Sequence, residues 1–134
     1  MENCEVKLFI AVLEKLPPSC RLYVGGGIDS AWKDGFLQEL RRYESSMDAT
    51  FDREYNYCIL LSSECVSYLI RELSINEEFI YYFCHYAIVH NDCMLLKVYD
   101  TLIFSIHKRL GISDDLINMC EDNSIIVYVE DPIS

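Results

Sequence analysis

Residues 81–100 read Tyr-Tyr-Phe-Cys-His-Tyr-Ala-Ile-Val-His-Asn-Asp-Cys-Met-Leu-Leu-Lys-Val-Tyr-Asp, and this stretch decides the fold. From Phe79 to Val89 the chain is apolar at odd and even positions and rich in Tyr, Phe, Ile and Val. A strand covered on both faces has that texture. Asn91-Asp92 is a turn signal, and Met94 to Val98 returns as the second strand of a hairpin. A helix beginning near Asn76 is the alternative for the first half, because Glu77 and Glu78 suit a first helical turn.

Working outward, helices and strands alternate. Val6, Phe9, Ile10, Leu13 and Leu16 share a helical face that Pro17 ends, although the segment also alternates tolerably as a strand. Arg21 to Val24 reads as a short strand running into Gly25-Gly26-Gly27. Asp29 or Ser30 can cap a helix whose apolar face is Trp32, Phe36, Leu37, Leu40 and Tyr43. Ser45 to Glu54 is polar and loop-like, and Tyr57 to Leu61 is a buried strand. Ser62 or Ser63 then caps a helix with Val66, Leu69, Ile70 and Leu73 on one face.

Beyond the hairpin, Asp100 is expected to cap a helix carrying Leu102, Ile103, Ile106 and Leu110, with Gly111 just past its end. Ser113 starts a short helix with Leu116, Ile117 and Cys120, and Ser124 to Val129 is the last strand. The expectation is an α/β or α+β fold: a mixed β-sheet with packed helices, in a single domain spanning residues 1–134. A chain of this length buries about two-thirds of its unfolded surface, so it needs neither a disulfide nor a metal to fold.

Charge narrows the function. The chain has 22 Asp plus Glu against 11 Lys plus Arg, a net charge of -11. No basic residue lies between Arg71 and Lys97, and none follows Arg109. Such a field repels nucleic acid and anionic membrane and attracts a basic partner. The acidic N-terminus is unlike a signal peptide, and no apolar run is long enough to span a bilayer. The seven cysteines, Cys4, Cys20, Cys58, Cys65, Cys84, Cys93 and Cys120, are odd in number and loosely spaced. They read as reduced thiols of a cytoplasmic protein.

No catalytic motif is complete. Leu22 to Asp29 has a strand, three glycines and a helix start. It lacks the P-loop Lys and the dinucleotide-binding glycine spacing, and Asp29 puts a negative charge where a phosphate would sit. Cys84, His85, His90 and Cys93 are zinc-ligand types, but on a strand Cys84 and His90 stand roughly 20 Å apart. Only His90 and Cys93 could meet, and two ligands do not close a zinc site. No residue pattern activates a cysteine beside His85, His90 or His107, and His107 reads as an exposed helical position next to Lys108. No cofactor, metal or catalytic residue is assigned.

The acidic surface remains. Glu44, Asp48, Asp52, Glu54 and Tyr55 cluster around the loop, and Asp114, Asp115, Glu121 and Asp122 form a second patch near the C-terminus. A plain solvated surface has the same composition. Carboxylates framed by tyrosines also suit a binding surface, with Tyr55 as an aromatic anchor.

In size, charge and apolar texture the chain resembles the bacterial immunity proteins that neutralise polymorphic or contact-dependent growth inhibition toxins. The Tyr81–Asp100 stretch is similar to a sheet hairpin found in several of them. That resemblance implies a non-enzymatic antitoxin that inhibits a basic cognate toxin domain, such as a nuclease, by direct protein–protein contact. Its partner-binding residues would be Asp48, Asp52, Glu54, Tyr55, Asp114, Asp115, Glu121 and Asp122. The alternative is an acidic nucleic-acid mimic aimed at a nucleic-acid-binding protein; a small enzyme built on the glycine loop is a third reading. An immunity protein binds one cognate toxin, whereas a mimic displaces nucleic acid generally.

Overall fold

The computed structural model describes residues 3–25, 35–46 and 55–133. It is an α+β fold with a six-stranded mixed sheet in the order β2-β1-β3-β4-β5-β6. The strands are β1 (Cys20–Gly25), β2 (Tyr57–Leu61), β3 (His85–His90), β4 (Cys93–Tyr99), β5 (Ile103–His107) and β6 (Ile126–Glu130). The α-helices are α1 (Cys4–Lys15), α2 (Gly35–Leu40), α3 (Ser63–Ile75) and α4 (Asp114–Asp122). All pairings are antiparallel except β5 with β6. Parallel neighbours need a crossover, and α4 supplies it.

Local chemistry explains the element boundaries. Asn3 caps α1 by accepting from the Val6 N–H, and the chain leaves the helix at Leu16, just before Pro17. Ser62 caps α3 by accepting from the Cys65 N–H at 3.2 Å. Its buried face is Cys65, Tyr68, Leu69 and Leu73. These helices cover one sheet face, whose alternate residues Leu22, Val24, Ile59, Tyr86, Ile88, Leu96, Val98, Phe104 and Ile106 enter the main core. Aromatic rings stitch the layers together: Phe9 meets Tyr86 edge-on at 5.2 Å, and Phe36 stacks on Phe79 at 4.5 Å. Truncating a buried ring such as Phe104 to alanine costs about 3–5 kcal/mol in cores of this kind. The other sheet face carries a smaller cluster, Tyr23, Tyr55, Cys58, Ala87 and Val89, with Met94 against it.

Two expected elements differ. The apolar run from Phe79 is not one strand. Residues Glu77–Tyr82 form a 3-10 helix capped by Asn76, whose side chain accepts from the Glu78 N–H, and the strand begins only at His85. The run is apolar on every face because its first half packs Ile80 and Phe83 beneath α3 and its second half is the centre of the sheet.

The helix expected after Asp100 is absent. Asp100 and Thr101 take positive φ angles of 56° and 59° and turn β4 into β5. Three residues, Asp100, Thr101 and Leu102, link the Tyr99–Ile103 pair, and two successive positive φ values carry the chain round this tight hairpin loop. Phe104 and Ile106 face the core with strand period while Ile103 and Ser105 stay half-buried. Only Lys108–Leu110 is helical, a single 3-10 turn ended by Gly111 at φ 62°. His107 is therefore not an exposed helical residue. It is a buried strand residue whose Nδ1 accepts from the Arg109 N–H, leaving Nε2 to donate to Asp131 at 3.3 Å.

Candidate functional site

Helix α4 builds the acidic surface. Ile117 and Cys120 turn inward, and the Cys120 thiol lies 3.5 Å from the Cys4 carbonyl as α4 packs on α1. At 3.6 residues per turn, Asp114, Asp115, Asn118, Glu121 and Asp122 then fall within an arc of about 120° on the opposite side. All five are exposed. The second expected patch is thus one continuous face of one helix.

None of these carboxylates has an ion-pair partner among the described residues. Ion pairs among the described residues are Arg41–Glu44, Arg42–Glu39 and His107–Asp131, and none involves α4. Asp114 and Asp115 sit in the first turn, where the helix dipole favours them. Glu121 and Asp122 occupy the last turn, which has no basic residue. Each is disfavoured there by about 0.3–1 kcal/mol through the helix dipole. Stability of the free protein gives no reason for that placement.

The loop patch fares differently. Asp48, Asp52 and Glu54 lie outside the described residues. Tyr55 is only 3% exposed, so it does not serve as a surface anchor as expected. Its ring packs 6.0 Å from Tyr23 and 5.5 Å from His85, in the smaller cluster. The residue is apolar-faced and sits next to β2, so the sheet takes it. Glu44 bridges to Ile59 on β2, while α4 leads into β6 at the far edge, about 24 Å away at the usual strand spacing. Glu44 therefore stands at the sheet edge opposite β6.

Sequence reasoning missed the exposed aromatic and aliphatic residues near Asn123, which ends α4. Tyr81, Leu102 and Ile126 are all exposed large hydrophobics. The Ile126 N–H donates to the Leu102 carbonyl at 2.9 Å, which joins β6 to the β4–β5 turn. Leu102 was hidden by the mistaken helix, and Tyr81 by the mistaken strand. A hollow of about 1060 Å³ lies on the other sheet face and is lined by Arg21, Tyr23, Leu60, Asp92, Met94 and Pro132, among others. Its mixed charge makes it a poorer receptor for a basic surface than α4.

The seven cysteines are free thiols. Burial pushes Cys65 up to about 12 and Cys20 and Cys120 up to about 11, so these are inert packing groups at neutral pH. No group of three or more His, Cys, Asp or Glu that could hold a metal ion occurs among the described residues. No helix among them is long and apolar enough to cross a membrane. No protein-family model, curated protein or solved structure matches the chain.

Proposed function

We propose that this chain is a cytoplasmic, non-enzymatic immunity protein that binds and inhibits a basic cognate toxin domain, a nuclease being the class whose substrate-binding cations best match the charge. The observation that carries this reading is the acidic face of α4, where Asp114, Asp115, Glu121 and Asp122 are exposed and have no basic partner among the described residues. Two of those carboxylates stand at the helix end that disfavours them. A cationic surface removes that penalty, and the complementary field speeds encounter. Tyr81, Leu102 and Ile126 supply the apolar area that charge alone does not.

Each α4 carboxylate would pair with a Lys or Arg that otherwise holds substrate phosphate. The test is co-purification of tagged protein with the product of the adjacent upstream gene. A one-to-one complex that weakens with salt supports the reading. Failure to bind that product while displacing nucleic acid from unrelated proteins favours the nucleic-acid mimic instead.

A further inference from the structure

Beside α4 the fold leaves a pocket of about 430 Å³, walled by Asn3, Glu5, Glu77, Glu78, Tyr81 and Leu102. Three elements frame it: the first turn of α1, the 3-10 segment Glu77–Tyr82 and the β4–β5 turn. Asn3 latches the first two together, its backbone N–H donating to Glu77 Oε2 at 3.1 Å and its side-chain amide to the Tyr81 hydroxyl at 3.0 Å.

Glu5 sets this pocket apart from an ordinary acidic patch. It is 5% exposed, and among the described residues its carboxyl has one polar contact, the Tyr86 hydroxyl at 3.4 Å from Oε2. Among the described residues Oε1 has no partner. A buried carboxylate oxygen left unmatched costs about 1–3 kcal/mol, and more if charged. No ion pair of the described residues reaches it.

We propose that this pocket receives one organic cation head, the guanidinium or ammonium of an Arg or Lys side chain presented by the basic partner. Glu5 Oε1 forms the floor contact, Glu77 and Glu78 the anionic rim, and the exposed Tyr81 ring a face for the cation to lie against. The proposal deepens the reading of the acidic surface as a partner site and rests on it for the source of the cation.

Burial raises the Glu5 carboxyl from 4.5 to about 8, against the lowering effect of the Tyr86 hydrogen bond. At neutral pH the empty pocket therefore holds a proton on Glu5. A cation displaces that proton to solvent, because an adjacent positive charge favours the carboxylate. Ionisable groups on the surrounding elements include Cys4 and Lys7 on α1, Glu77, Glu78 and Tyr81 on the 3-10 segment, Tyr86 on β3, Cys120 and the acidic residues of α4, and Asp100 at the β4–β5 turn. Affinity for the cation is expected to rise up to tenfold per pH unit between pH 6 and 8, then level off.

The experiment needs no partner, so it fails or succeeds separately from the immunity reading. Butylguanidinium is titrated into the full chain with glutamate isotopically labelled at its side-chain carboxyl carbon (Cδ), at constant ionic strength, with neutral butylurea in parallel. The expected result is a saturable shift of the Glu5 carboxyl and the Leu102 amide with butylguanidinium alone, and a Glu5 midpoint lowered by a unit or more. Glu5→Gln, which keeps the shape of the protonated acid, should abolish the response with the spectrum otherwise folded. Glu77→Gln with Glu78→Gln should weaken it several-fold. No saturation, an equal response to butylurea, or full binding by Glu5→Gln would overturn the proposal.

Discussion

The Tyr86 hydroxyl lies 3.4 Å from Glu5 Oε2 and joins the start of β3 to the first turn of α1. Tyr86 is fully buried and Glu5 nearly so. The pair places a titratable group inside the core, and the acid is pushed up to about 8 by burial.

Stability should therefore fall as pH rises across neutrality. Below pH 4.5 Glu5 is protonated in both folded and unfolded chains and contributes no slope. Between 4.5 and about 8 the unfolded chain releases the proton while the folded one holds it, so stability drops by up to about 1.4 kcal/mol per pH unit. Above 8 the loss is complete. Urea unfolding at pH 5 and pH 9 should show the native protein losing about 2–4 kcal/mol relative to Glu5→Gln. Parallel curves for the two proteins would mean that Glu5 ionises freely in the fold.

Thiol reactivity should rank by burial. Cys84 is exposed and Cys93 half-buried, whereas Cys4, Cys20, Cys58, Cys65 and Cys120 are buried. A disulfide reagent should modify Cys84 first and Cys93 more slowly, and reach the rest only on unfolding. Seven thiols should titrate in denaturant. Fast native labelling of Cys65 would contradict the packing of α3.

Thr101 holds a φ of 59°, a conformation that β-branched residues resist. Thr101→Gly should relieve that strain and stabilise the protein by about 0.5–1 kcal/mol in thermal or chemical unfolding. A loss of stability would argue that Thr101 is not strained in the β4–β5 loop.

How much of this was legible in the residues follows from what each signal measures. Tyr57–Leu61 was readable to the residue because a short apolar run sits between polar flanks. Ser62 and Pro17 marked helix ends through their own chemistry. The segment after Asp100 failed because Leu102, Ile103, Ile106 and Leu110 satisfy helical spacing by coincidence, while Phe104 and Ile106 satisfy strand spacing by necessity. The decisive cue was tertiary: β4 had an unpaired edge that β5 fills. Among the candidate residues, the exposure of the α4 acids was readable from charge alone, and the burial of Tyr55 was not. Nothing in a loop tyrosine tells whether its ring turns outward or into a sheet face.

Function and stability should separate on α4. Replacing Glu121 and Asp122 with lysine supplies the cations that the last turn of the helix lacks. Each change should raise stability slightly, by about 0.3–1 kcal/mol. Melting temperature checks this, and a marked drop would mean that the two carboxylates make contacts beyond the helix end.

Growth of cells expressing the product of the adjacent upstream gene tests the central claim most directly. The account predicts that this product arrests growth, that the native protein restores it, and that a variant with Asp114, Asp115, Glu121 and Asp122 all changed to lysine folds but no longer protects. A harmless product, toxicity that persists beside the native protein, or full protection by the charge-reversed variant would contradict it.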